Sequence, residues 1–581
     1  MIPLFFALAL VATPAYAADT LGQGRQFFIS SQYEESSRTG VSATLKHISD
    51  RAYFYVENNY WDGLSATVRN EIMGRIAELA GEFDNRIYPL ETEFFGSEAN
   101  PGIDNDSRIT ILLTPLIENA GGYYDTANQY SRDRVSRSNE RDMIYINSSS
   151  LADKKRAFAF LAHEFQHLIS FNQKNQLRGV EEDIWLNELR SEYAITRLGY
   201  NEVLEDSHLE RRMQAFVENP HDSLTEWKNK PVDYGHIMLF GEYIAEHWSP
   251  EVIAQTIRTG SAGINSVNES LAQNGFNDSF LDVFVRWIVA SFLNDRSIDP
   301  KFGYTNDNLR NLRPGATRIF HDIGEGYSAS VSDNIKDWEV RWYDFKEFTA
   351  GDNPVLKISF SSPSLTSFVV PHLVFKNDGS VNWSVFYPNF QSRDLYISGI
   401  GSEVNRVAFL PVKKDKLAGF GYEETSVPLE FSIERVGSAP PSTDSSSVNA
   451  EISSNHALPT PVALVYPDGS LLRIEGDPRV YVINGKWRRH IISPEIFKFY
   501  PHLGFDKVQV VSRETMAQYR ESSLVRNPSS ERVYEVDGAG IRHWLDISGD
   551  RFLASGRSFD SVFLVSDLEL TFYRVGAIMG Q

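Results

Sequence analysis

A chain of 581 residues is several times the usual domain size, so three or four domains are expected and a single compact unit is excluded. Hydrophobic residues at 42%, aromatics at 13% and charged residues at 23% exclude a wholly disordered, collagenous or coiled-coil chain, and a net charge of −21 repels phosphate backbones, so nucleic acid is not an expected partner. With no cysteine, disulfides, thiolate ligands and a Cys nucleophile are excluded, and any metal must rest on His, Asp or Glu.

Residues 2–13 form an apolar run too short to span a bilayer comfortably, followed by Ala15-Tyr16-Ala17, a small-x-small cleavage pattern. This reads as a secretory signal peptide over 1–17, although no basic residue precedes it; the other readings are a buried N-terminal helix or an uncleaved anchor. No later stretch has the apolar length of a span, so the processed chain is expected to be exported without a membrane segment. Alternating segments around Ala43-Leu45-His47 and Tyr53-Tyr55 predict strands, and Ile72, Ile76, Leu79 and Phe83 predict a helix over 64–83 with Ser65 or Thr67 as cap. Asp104-Asn105-Asp106-Ser107 is a turn cluster without the full calcium-loop pattern, so no calcium is assigned. It leads into a strand over 108–113, and 143–146 is a second short strand. A long helix is then predicted from near Ser150, with Asp153 as a capping partner and Phe158, Leu161, Phe165, Leu168 and Ile169 at core spacing.

Helical patterns continue to about residue 295, so 18–330 reads as one α+β domain. Between 331 and 436 about seven short alternating segments suggest an antiparallel β-sandwich. A Pro/Ser-rich linker follows over 437–461, and 462–581 contains two repeats of about 53 residues: Arg479-Val480-Tyr481 returns as Arg532-Val533-Tyr534, and Arg489-His490 as Arg542-His543. The tail from Pro461 has as many basic as acidic residues, so the whole acidic surplus lies ahead of it.

His163-Glu164-Phe165-Gln166-His167 places two imidazoles on one helix face, one turn apart, where they can grip one ion together. Zinc suits two imidazoles, a carboxylate and an open position, and Glu164 stands next to the first ligand as the base for a metal-activated water. The alternative is a surface helix with two solvated histidines. A third ligand is expected from the helix around Trp185-Leu186-Asn187-Glu188, with Glu188 as the ligand and Glu192, one turn on, orienting a ligand histidine. Glu192 read the bland way is an exposed carboxylate or a partner of Arg190 or Arg197. The strand 143–146 is either an ordinary core strand or a sheet edge that aligns substrate.

These residues resemble the gluzincin metallopeptidases, in which an H-E-x-x-H helix is followed about twenty residues later by an Asn-Glu ligand helix. Leu161-Ala162-His163-Glu164-Phe165-Gln166-His167 with Trp185-Leu186-Asn187-Glu188 looks most like the hyicolysin-type group of secreted bacterial peptidases. The metzincin pattern is absent because Gln173 stands where a third His is needed, and no Gly-x-Met-Glu-Asn aminopeptidase stretch occurs upstream. The resemblance implies a multidomain protein with a zincin-like α+β catalytic domain, one catalytic Zn2+ and endopeptidase action on proteins or peptides. It also implies an oxyanion donor after the Glu ligand, for which Tyr234 is the candidate and His236 the reserve. The sandwich and the repeats, with Trp487-Arg488-Arg489-His490 and Arg542-His543-Trp544, would be modules for substrate engagement or for cell-surface or glycan contact. The rival reading is a catalytically silent surface-binding protein on a peptidase-like scaffold.

Overall fold

The computed structural model describes residues 18–362, 368–388, 394–414 and 426–439, and 466–579 apart from short interruptions. The signal-peptide stretch 1–17 and linker residues 440–461 lie outside the described residues. Mixed α and β content is divided between two compact units, the first holding the chain up to Lys414 with the strand from Val427, the second the C-terminal part.

The first unit opens with β1 (Gly24–Phe28), β2 (Gly40–Ile48), β3 (Ala52–Glu57), α1 (Asn58–Asp62), α2 (Ala66–Glu82), α3 (Tyr88–Phe95), β4 (Ile109–Thr114), β5 (Gly122–Tyr124) and β6 (Met143–Asn147). Ser65 caps α2, accepting from the Val68 N–H. The six strands form one sheet in the order β1-β2-β3-β4-β6-β5; β3, β4 and β6 run parallel, and β5 is an antiparallel edge. Each central strand is buried on both faces, and the period-two alternation sorts its residues. Phe54, Val56, Ile111, Leu113, Ile144 and Ile146 face the helices, while Tyr53, Tyr55, Leu112, Met143 and Tyr145 build a second core behind the sheet. Strand 143–146 is therefore interior, between β4 and β5, rather than at a sheet edge, and the edge strand is β5.

Helices α4 (Lys154–Ser170), α5 (Ile184–Arg197), α6 (His208–Glu218), α7 (Pro231–His247), α8 (Pro250–Thr256), α9 (Gly263–Gln273) and α10 (Phe280–Leu293) follow. Residues 148–152 form a 3-10 turn, and α4 starts only after Asp153, which caps it by accepting from the Arg156 N–H at 3.2 Å. From Leu161 to Ser170 every side chain of α4 is buried, because the sheet and α5 enclose it.

Two antiparallel sheets come next. One runs in the order 394–398, 355–360, 427–436, 328–335; the other runs 381–386, 368–376, 404–409, 343–346 and closes with the parallel strand 318–320. They share a core around Phe360, Phe409 and Phe431. This pair is also joined to the helices: Trp338 meets Phe280 and Phe284 of α10 edge-on at 4.7 and 5.3 Å, in a hydrophobic core continuous with that of α4.

The second unit holds two five-stranded sheets with the same connectivity: in each, the fourth, first, second, third and fifth strands lie side by side. Tyr481 faces His490 in the first sheet as Tyr534 faces Trp544 in the second. Arg488 lies over Tyr481 at 5.0 Å and donates to the Met516 carbonyl, just as Arg542 lies over Tyr534 at 5.3 Å and donates to that of Leu570. The equivalent of Arg542 is thus Arg488, one residue away from the pairing with Arg489 read from the sequence.

Candidate metal centre

Four-residue spacing on α4 turns His163 and His167 the same way, and their Nε2 atoms lie 3.2 Å apart. Helix α5 crosses alongside and brings Glu188 Oε2 to 3.2 Å from His163 Nε2 and 3.5 Å from His167 Nε2. Among the described residues these three form a group whose ligand atoms all lie within 4.8 Å of one another.

The opposite ring nitrogens assign the protons. His163 Nδ1 faces Glu192 Oε1 at 3.4 Å, and His167 Nδ1 faces Ser191 Oγ at 3.2 Å while that hydroxyl donates to Gln166 Oε1 at 2.7 Å. Both Nδ1 atoms then carry hydrogen, which leaves both Nε2 atoms as acceptors. Glu188 Oε2 is buried without a hydrogen-bond donor. Three acceptors converging with no donor between them suit a cation, and two imidazoles with one carboxylate suit zinc.

Glu164 lies against β5. A Cβ added at Gly122 would sit 2.9 Å from Glu164 Cγ and 2.7 Å from the Tyr145 carbonyl, and one at Gly121 would strike the Phe160 ring, so the two glycines let the edge strand lie on α4. The Glu164 carboxylate accepts from the Tyr124 backbone, yet burial, with Glu188 and Glu192 adding to it, raises its pKa to about 8. A cation at the neighbouring acceptors would oppose that shift.

Glu192 is completely buried rather than exposed. It accepts from His208 Nε2 at 2.9 and 3.1 Å and from Arg212 Nε and Nη2 at 3.0 and 2.9 Å, and Arg212 and His208 together outweigh burial and lower its pKa. Neither arginine considered as its partner reaches it: Arg190 binds Glu182 at 2.9 Å, and Arg197 lies over Phe94.

Tyr234, in the first turn of α7, has its ring 6.4 Å from that of His163, and its hydroxyl donates to Asn229 Oδ1 at 2.8 Å. The Arg212 guanidinium covers the ring at 4.2 Å and Trp227 meets it edge-on. His236 points elsewhere: its ring nitrogens face the carbonyls of Val232 and Pro220, and it packs on Phe216. Asp104 pairs with Arg141, and Asp106 accepts from the Tyr53 hydroxyl. In the second unit a cavity of about 250 Å³ is lined by Arg489, His490, Glu521, Ser522, Asp537 and Tyr573.

Sequence reasoning missed Ser191, His208, Arg212 and Asn229. Ser191 was within reach, since it lies three residues after Glu188 on the same helix face, and His208 and Arg212 have a one-turn spacing on α6. Nothing local ties α6 to α5.

No protein-family profile matches the chain. It is 27% identical over 235 residues to the neutral metalloprotease ShpI of Staphylococcus hyicus, a match covering 36% of this chain and 48% of that protein. The chain thus spans about half the length of this curated relative. Among the described residues no helix is long and apolar enough to cross a membrane. The likeness supports a metallopeptidase relationship for the part of the chain that it covers.

Proposed function

We propose that this protein is an exported zinc-dependent endopeptidase with a zincin-like catalytic domain of the hyicolysin type. The observation that carries the reading is the convergence of His163 Nε2, His167 Nε2 and Glu188 Oε2 beside the buried Glu164. Those three residues would hold the zinc, which when bound supplies Lewis acidity that lets water lose a proton near neutral pH. Glu164 takes that proton on its carboxylate and passes it to the nitrogen of the leaving amine. The Tyr234 hydroxyl leaves Asn229 and donates to the oxyanion formed on the scissile carbonyl. The outer edge of β5, beside Glu164, pairs with the main chain of an extended protein or peptide substrate. The second unit serves cell-surface or glycan attachment.

Metal content and casein hydrolysis of the full chain, compared with Glu164→Gln, test the assignment. About one zinc per chain in both proteins is expected, with activity lower in the variant by on the order of 10²- to 10⁴-fold. Zinc in both with turnover in neither favours the silent surface-binding scaffold; no zinc in either overturns the site.

A further inference from the structure

Helix α6 closes on the site with two side chains one turn apart, His208 and Arg212, and both bind the same carboxylate. Arg212 forks across Glu192 and supplies its counter-charge, with Nε 3.0 Å from Oε2 and Nη2 2.9 Å from Oε1. A buried carboxylate so paired needs no further cation, yet His208, itself 6% exposed, sets Nε2 at 2.9 and 3.1 Å from the same two oxygens. Arg211 Nη2 approaches the other ring nitrogen, Nδ1, at 3.4 Å, which leaves the ring proton on Nε2 and makes His208 a neutral donor to Glu192. Glu192 Oε1 then meets three donors: Arg212, His208 and, at 3.4 Å, Nδ1 of His163.

From this geometry we propose that His208 is a positioning residue for the metal: it holds the Glu192 carboxylate so that Oε1 stays against His163 Nδ1, and so keeps His163 Nε2 turned toward His167 and Glu188. The inference rests on the zinc-peptidase reading, because it gives the His163 orientation a purpose. Arg212 cannot do this alone, since a fork and a carboxylate can move together as one plate. A third donor straddling both oxygens fixes the plate. The arrangement also explains why α6 turns a buried His208 and a half-buried Arg212 toward Glu192 where an apolar pair would pack at lower cost.

The test is the release of zinc from the zinc-loaded full chain to excess chromophoric chelator, timed for the wild type, His208→Ala, His208→Leu and His208→Gln. The Ala and Leu variants should release zinc about 10-fold faster, and Gln, whose side-chain amide restores an N–H donor, should recover most of the wild-type retention. Leu fills the space without a donor and gives the same reading if Ala does not fold. A purely packing role predicts the opposite pattern, with Leu better than Gln, and that result overturns the proposal. Wild-type release rates in folded Ala and Leu variants also overturn it while leaving the zinc site intact. A wild type that holds no zinc overturns both.

Discussion

The wall of the site built from α4, α5 and α6 differs from the wall built from α7 in how its polar groups are held. On the first, His163, His167, Gln166, Ser191, Glu192, His208 and Arg212 are tied to one another across three helices. On the second, Tyr234 is half-buried in a first helical turn, and its hydroxyl rests on Asn229 of the preceding loop. Under the proposed function ligand atoms must keep their places closely, and the hydrogen bonds behind them would hold them there. A donor to a charge that appears only during reaction can exchange one partner for another, and a loop partner suits that exchange.

The largest break in this contrast should come from Glu188→Ala. Removing one of three converging acceptors should weaken zinc binding by more than the roughly 10- to 100-fold typical of losses behind the ligands, as read by chelator competition. Tyr234→Phe should leave zinc retention unchanged and lower kcat by on the order of 10²-fold with little change in KM; equal losses in retention and turnover would place Tyr234 with the fixed wall instead.

The effect furthest from the site concerns the far end of α7. Burial, with Glu246 adding to it, raises the pKa of Glu242 to about 7 from an ordinary 4.5. A carboxyl that holds its proton more tightly in the fold favours the folded chain fully below pH 4.5, and that contribution is lost as pH rises to 7. Glu242→Gln should therefore gain about 3 kcal/mol on the wild type between pH 4.5 and pH 8, measured by denaturant unfolding of the metal-free chain. An equal difference at both pH values would remove burial of Glu242 as the cause.

Much of the fixed wall was legible in the chain. The i, i+4 spacing of His163 and His167 and the one-turn spacing of Glu188 and Glu192 state which atoms share a helix face, because 3.6 residues per turn is a local property. Helix α2 and strands β2 and β3 follow from periodicity in the same way, β4 and β6 from short apolar runs, and of the two cap candidates Ser65 is the one that caps α2. The helix start near Ser150 failed because Asp153 competes for the cap and leaves 148–152 as a 3-10 turn.

Strand order was not legible: 143–146 reads identically whether it lies at an edge or, as found, between β4 and β5. The register between the two C-terminal sheets likewise needed the pairing of Arg488 with Tyr481 and Arg542 with Tyr534, since neighbouring arginines in Trp487-Arg488-Arg489-His490 are equivalent to a sequence comparison.

By itself, then, the amino-acid sequence determined which side chains can act together from one helix: the two histidines, the glutamate between them, and the Glu188/Glu192 pair. Only the tertiary structure decided that α6 would clamp Glu192, that β5 rather than β6 would be the outermost strand beside Glu164, that Tyr234 would rest on Asn229, and that the two antiparallel sheets would share a core with α10. The physical reason is range. Helical spacing is set by backbone geometry over a few residues, whereas the partner of a buried carboxylate and the neighbour of a strand are chosen by the packing of segments far apart in the chain.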